Sequence, residues 1–331
     1  VFRPARPQAG AKETSVTPRA EFWRYVFCPA AAGTLVLVVA FVVVWRRLGR
    51  SPETWPVLGR VFVPASLAAF GGEHLVSAHG LSKMVPTWMP VPLFWAYFVG
   101  IALLSAAVSI VSTRLIRVAA ALLGTMFFIF VLTLHIPRVV ANPADRFAWA
   151  VAARDLTFGL GGWTLWATLA PESQRMWSAR VLSACRTVAA LVFIFYGIEH
   201  VLHPGFVPGV PLERAIGPWV PAAVVWGYAI GVILIASGVL MLLNVRAREA
   251  ATWLGVALTV TLPVIYIPML FVANGTSEGV EAVNYIFDSL LFAGSVFLLA
   301  GGMATSAERS APARLSASPG RDTARMGEAG T

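Results

Sequence analysis

A glutamate stands beside a histidine twice in this chain, at Glu73-His74 and Glu199-His200, and an aspartate lies inside an apolar run twice, at Asp155 and Asp288. A carboxylate next to an imidazole is suited to proton transfer, because imidazole titrates near neutrality and burial tunes the carboxylate. An ionisable group deep in an apolar run costs about 3 kcal/mol unless it faces protein or water, so each aspartate is a functional candidate by default. Near them stand His135-x-Pro137 and Tyr266-x-Pro268, Trp88-x-Pro90 and Trp219-x-Pro221, and the aromatic residues Trp95, Tyr97, Trp226 and Tyr228. Apolar walls, aromatic faces and a few polar groups at one depth are what a ring-headed lipid needs. Glu or Asp with His beside a quinone head group would pass protons as the ring is reduced or oxidised.

The candidate binding set is therefore Glu73, His74, Trp88, Trp95, Tyr97, His135, Asp155, Glu199, His200, Trp219, Trp226, Tyr228, Tyr266 and Asp288. Adjacent helical residues point about 100° apart, so Glu73 and His74 cannot both face one centre. The Trp and Tyr residues also sit where an interfacial aromatic belt is expected. Arg60 precedes Glu73 by thirteen positions, roughly 20 Å along a helix, and reads as a snorkelling anchor at the opposite end. Arg186, Arg117 and Arg248 read the same way. His200 and His203 share a helical face, but their counterparts His74 and His79 do not. That mismatch argues against a metal centre, and nothing distinguishes His74, His135 or His200 as haem ligands. Cys28 and Cys185 lie in different apolar segments with no C-x-x-C pattern, which argues against thiol redox chemistry. No covalent cofactor is implied, and a quinone is the ligand expected.

These residues must be positioned by membrane helices. The 331 residues are 58% apolar and 12% charged, against about one quarter charged in soluble proteins. The apolar runs last about 20 residues and end at Arg, Pro and Gly, as bilayer-spanning helices do. They fall at about 25–45, 60–79, 92–113, 115–137, 147–170, 181–203, 220–244, 250–273 and 281–303. The expected fold is all-α, an integral membrane protein with about nine transmembrane helices. Residues 1–24 read as a disordered N-tail, 25–57 as an anchor helix and loop, 58–173 and 178–304 as two four-helix units, and 305–331 as a disordered C-tail. The first run ends at Arg46-Arg47 without a small-residue cleavage pattern and reads as a retained anchor.

The net charge of +9 does not form one basic stripe, so nucleic acid is not the expected partner; the basic residues cluster at the ends of the runs. Loops after spans 1, 3, 5 and 7, with the C-tail, hold about fifteen Lys and Arg against about five in the alternate loops. That bias places the C-terminus in the cytoplasm and the Glu-His face outside, and the expected location is the inner membrane. Nine spans then put the N-tail outside although it carries Arg3, Arg6, Lys12, Arg19 and Arg24.

The chain is duplicated. A shift of 126 lays Arg60, Gly71, Glu73 and His74 on Arg186, Gly197, Glu199 and His200. A shift of 131 lays Trp88, Pro90, Trp95, Tyr97, Gly100, Arg117, Gly124, Ile136 and Pro137 on Trp219, Pro221, Trp226, Tyr228, Gly231, Arg248, Gly255, Ile267 and Pro268. Two further inserted residues bring Asp155 and Gly161 onto Asp288 and Gly294. Four spans per unit bring both copies in and out on the same side, so the repeats are expected to be parallel.

The order Arg60, Gly71, Trp88-x-Pro90, Tyr97-x-x-Gly100, repeated as Arg186, Gly197, Trp219-x-Pro221, Tyr228-x-x-Gly231, resembles the DoxX-like family of four-helix membrane proteins, over about residues 58–303. The resemblance implies a redox-associated subunit of the kind linked with terminal quinol oxidase and thiosulfate:quinone oxidoreductase, with membrane or extracytoplasmic redox proteins as partners. A Lys often found after the family's first-helix Gly is here replaced by Glu73-His74 and Glu199-His200, and the tandem fusion and first helix also depart from the single-unit form.

The expected function is a membrane subunit that binds a quinone or similar prenyl lipid near the extracytoplasmic face. A non-catalytic scaffold of a larger complex and a small-solute transporter are the alternatives that the same residues leave open.

Overall fold

The computed structural model describes residues 18–48, 52–207 and 214–303. Among them the regular structure is helical, apart from one isolated bridge between Phe206 and Ala215. The described residues form nine long helices, in order α1 (Arg19–Arg46), α2 (Gly59–Val76), α3 (Pro92–Ser112), α4 (Ile116–Ala141), α5 (Arg146–Thr168), α6 (Arg175–Leu202), α7 (Ala223–Leu242), α8 (Ala247–Val272) and α9 (Thr276–Gly301). The helix begins at Pro18, earlier than the expected 25, so part of the presumed N-tail is ordered. Residues 1–17 and the C-tail lie outside the described residues.

Seven of these helices are long and apolar enough to cross a bilayer. An eighth span results if α2 and the short helix after it, bent by 87°, are taken together. The helix α5 is not among them, and Arg154 and Asp155 stand near its middle. The chain is thus an all-helical, multi-pass membrane protein by the length and composition of its helices.

Chain neighbours pack in series, α2 on α3, α4 on α5, α6 on α7 and α8 on α9, while α1 lies against α2. The first helix of each expected unit packs on the last helix of the other: α2 meets α9, and α6 meets α5. The last helices, α5 and α9, also meet each other. In α9, 89% of the apolar stretch is buried, against 22% in α1, so α9 is the central helix and α1 a peripheral one.

Small residues allow the α5–α9 approach. A Cβ on Gly161 would stand 2.8 Å from the Ser295 side chain, and one on Gly294 would stand 2.9 Å from Phe62 of α2. Edge-on around Phe292 of α9 lie Phe158 of α5 (6.4 Å), Phe193 (5.9 Å) and Tyr196 (5.6 Å) of α6. Such aromatic contacts contribute roughly 0.5–1.5 kcal/mol each beyond their buried area. This layer lies one helical turn from Arg154 and Asp288, since Phe158 and Phe292 come four residues after them.

Candidate functional site

The start of α5 is set by Asp145, whose Oδ1 accepts from the backbone N–H of Phe147 (3.0 Å) and Ala148 (3.2 Å). This side-chain cap satisfies donors that a helix N-terminus otherwise leaves open. Nine residues after the first helical residue, Arg146, comes Asp155, roughly 14 Å along the axis. It is buried, as is Asp288 on α9.

Arg154, immediately before Asp155, joins the two aspartates. Its Nε donates to Asp155 Oδ1 at 3.0 Å, and its Nη1 donates to Asp288 Oδ2 at 2.7 Å. On the other side of Asp155, His135 Nε2 lies 2.8 Å from Oδ2. Four ionisable side chains from α4, α5 and α9 therefore form one line: His135, Asp155, Arg154, Asp288.

The local sequence explains how His135 reaches this line. Pro137 has no N–H for the carbonyl four residues back and its ring crowds that carbonyl. The helix answers with a π-turn over Val131–His135, a widening that recurs at functional sites and turns the side chains beyond it. The same turn occurs at Leu262–Tyr266, before Pro268. There Tyr266 takes the place of His135; it is fully buried and stacks on Tyr285, with ring centroids 6.2 Å apart.

The two glutamates meet different helices, Glu73 on α9 and Glu199 on α5. Glu73 Oε1 accepts from Asn284 Nδ2 of α9 at 3.1 Å. Glu199 Oε2 lies 3.6 Å from Arg146 Nη1 of α5 and 4.0 Å from His203 Nε2. Arg146 also stacks over the Phe206 ring at 4.5 Å. Between these two places the Tyr196 hydroxyl donates to the Ala150 carbonyl, tying α6 to α5.

His74 and His200 do not join the line. Each bonds through Nδ1 to the carbonyl four residues earlier, Phe70 at 2.8 Å and Tyr196 at 2.6 Å. A Cβ at Gly100 or Gly231 would approach the respective His Cβ at 2.8 or 3.0 Å, so both histidines sit where a first and a second helix nearly touch. Trp88, Tyr97 and Tyr228 lie on the outer surface, at 69%, 38% and 46% exposure. Trp95 donates to the Pro90 carbonyl at 2.9 Å, within its own segment. Trp219 and Trp226 pack against a buried cluster that includes Val220, Ile265 and Tyr266, and Trp219 reaches the Ile265 carbonyl at 3.4 Å.

Of the residues picked out in the sequence, the structure thus joins His135, Asp155 and Asp288 directly and sets Glu73 beside them. It adds Arg154, Asn284, Arg146 and Tyr196. A lone cation within an apolar run was a signal for Arg154. The repeat passed over it, because the offset that lays Asp155 on Asp288 lays Arg154 on Phe287.

Among the described residues no group of three His, Cys, Asp or Glu side chains is arranged to hold a metal ion. Both cysteines are free, Cys28 exposed and Cys185 buried. In comparison with known proteins, no family model matches the chain, and no curated protein or solved structure is similar enough to count as a match. The fold and the side chains themselves define a helical membrane protein with a buried ionic line across its central helix pair.

Proposed function

We propose that this chain is a nine-span inner-membrane subunit of a redox-associated complex that binds a quinone or similar prenyl lipid near the extracytoplasmic face, beside the Arg154 cluster. The observation that carries the reading is the imidazole–carboxylate pair His135–Asp155, held on the Arg154 guanidinium. A quinone head group needs a donor to its ring oxygens and a group that exchanges protons as it is reduced or reoxidised. Arg154 has five N–H donors, and its bonds to the aspartates come from Nε and Nη1. The cluster also keeps an accessible edge, with 14% of the His135 and 18% of the Arg154 side chain exposed. The outward Trp88, Tyr97 and Tyr228 suit anchoring at the bilayer interface better than a cage around the ligand.

The same reading takes α5 as a span whose charges face the protein, and the two units as parallel repeats of the DoxX-like kind. Support comes from the paired π-turns, the paired histidine bonds and the reciprocal contacts of α2 with α9 and α6 with α5. Extracytoplasmic or membrane redox proteins are the partners this reading requires.

The test is quinone content after purification in mild detergent, by solvent extraction and mass spectrometry, for the wild type and for His135→Gln and Glu73→Gln. Near-stoichiometric quinone that drops several-fold in a folded His135→Gln protein is the expected result. Little quinone in the wild type would overturn the reading. It would favour a non-catalytic scaffold, for which the ionic line serves as a staple between helices.

A further inference from the structure

We propose that the His135–Asp155–Arg154–Asp288 cluster is a proton-loading site that takes up and releases one proton inside the helix bundle, with or without a bound ligand. The charges of the observed contacts lead to it. A guanidinium stays protonated in proteins. It faces two carboxylates, Asp155 at 3.0 Å and Asp288 at 2.7 Å. With His135 neutral the four groups carry one net negative charge. With one added proton, on the imidazole or on a carboxyl, they are neutral.

A buried net charge is costly, and removal from water makes the balance of paired charges matter more. The described ion pairs bring no second Arg or Lys to this line, since Arg146 pairs with Glu199. The groups facing it from the surrounding helices do not supply the missing positive charge. From α2 comes Glu73, an acid that already accepts from Asn284 and brings no positive charge. From α6 comes Tyr196, whose hydroxyl donates to the Ala150 carbonyl. From α8 comes Tyr266, stacked on Tyr285 of α9. The compensating charge is therefore a proton.

The route for that proton is short. His135 Nε2 and Asp155 Oδ2 stand 2.8 Å apart, within direct transfer distance. A proton from water adds to the partly accessible imidazole, giving imidazolium, and is shared with Asp155; release returns it to water. Asp288 feels the change through Arg154, so the proton is registered on both α5 and α9. The second unit has Tyr266 and Phe287 in place of His135 and Arg154, so the duplication does not duplicate this site.

The experiment uses the full-length protein in detergent, stripped of lipid and without added quinone, so its outcome is separate from that of the lipid reading. Infrared difference spectra between acidic and alkaline samples, with ¹³C-labelled aspartate and ¹⁵N-labelled histidine, read the protonation of these groups. The expected result is a titrating His or Asp signal that is lost in His135→Gln, with potentiometric titration of the folded protein showing one proton fewer than in the wild type. An identical difference spectrum in both proteins overturns the proposal. So does an unsubstituted protein whose aspartate and histidine signals all titrate as exposed groups, a result that needs no variant to fold.

Discussion

Arg154 Nη1 on α5 lies 2.7 Å from Asp288 Oδ2 on α9, across 134 residues of sequence, while Nε of the same guanidinium holds its neighbour Asp155. Removing one partner of a buried ion pair leaves uncompensated charge and costs about 3–5 kcal/mol, whereas replacing the whole set by apolar groups of similar size is often neutral. Arg154→Ala is therefore expected to lower stability by about 3–5 kcal/mol. The triple variant Arg154→Met, Asp155→Leu, Asp288→Leu should recover most of that loss while forfeiting any proton or ligand chemistry. Reversible unfolding in mixed micelles checks both. A triple variant no more stable than Arg154→Ala would mean that the line also fixes the helix geometry.

The His135–Asp155 contact depends on the π-turn before Pro137. Pro137→Ala restores a backbone donor and lets the turn tighten to α-helix, rotating His135 away from α5. A double-mutant cycle between His135→Gln and Asp155→Asn is expected to give a coupling of roughly 1.5–3 kcal/mol in the wild type, the range for a hydrogen bond to a charged group. In the Pro137→Ala background the coupling should fall close to zero. An unchanged coupling would show that packing, not the turn, aims the imidazole.

Most of the helical architecture was legible from the sequence, because apolar runs of bilayer length dictate helices wherever they occur. The run at 147–170 is expected as a span, and α5 forms there but is not among the helices apolar enough to cross a bilayer; the run at 60–79 bends by 87° between α2 and the short helix after it. For the site, Asp155, Asp288 and His135 stood out as ionisable groups in apolar context, and Glu73 as a duplicated one. Their partners were hidden for a physical reason: Arg154 and Asn284 have no polar counterpart at the matching offset, where Phe287 and Val151 stand. Matching the sequence against itself brings out the residues that recur, and Arg154 and Asn284 do not recur. Of the aromatic candidates, Trp88, Tyr97 and Tyr228 lie on the surface, where an interfacial belt is also expected.

The seam between α5 and α9 tolerates no bulk. At Gly161 a Cβ would already stand 2.8 Å from Ser295, while at Gly80 it would meet nothing within 4 Å. Gly161→Leu is expected to cost about 1–3 kcal/mol, as overpacking of a filled core does. Gly80→Ala should change stability by less than about 0.5 kcal/mol, as surface substitutions do. Thermal unfolding of the two variants side by side distinguishes a close-packed seam from a loose one, in which they would behave alike.

The two cysteines provide a built-in reporter on the same seam. Cys28 is exposed on α1, and Cys185 is buried on α6 in the core that also contains Phe158, Phe193 and Phe292. Thiol reactivity follows access as well as thiolate fraction, so a membrane-permeable maleimide should modify one thiol per native chain and both after denaturation in SDS. Slow modification of Cys185 in the native state then measures how often the core opens. If the Arg154 line clamps α5 to α9, Arg154→Ala should speed Cys185 labelling by about tenfold for every 1.4 kcal/mol lost from the opening free energy, while leaving Cys28 unchanged. Acceleration at neither, in a protein shown to be destabilised, would place the opening elsewhere than the α5–α6–α9 core.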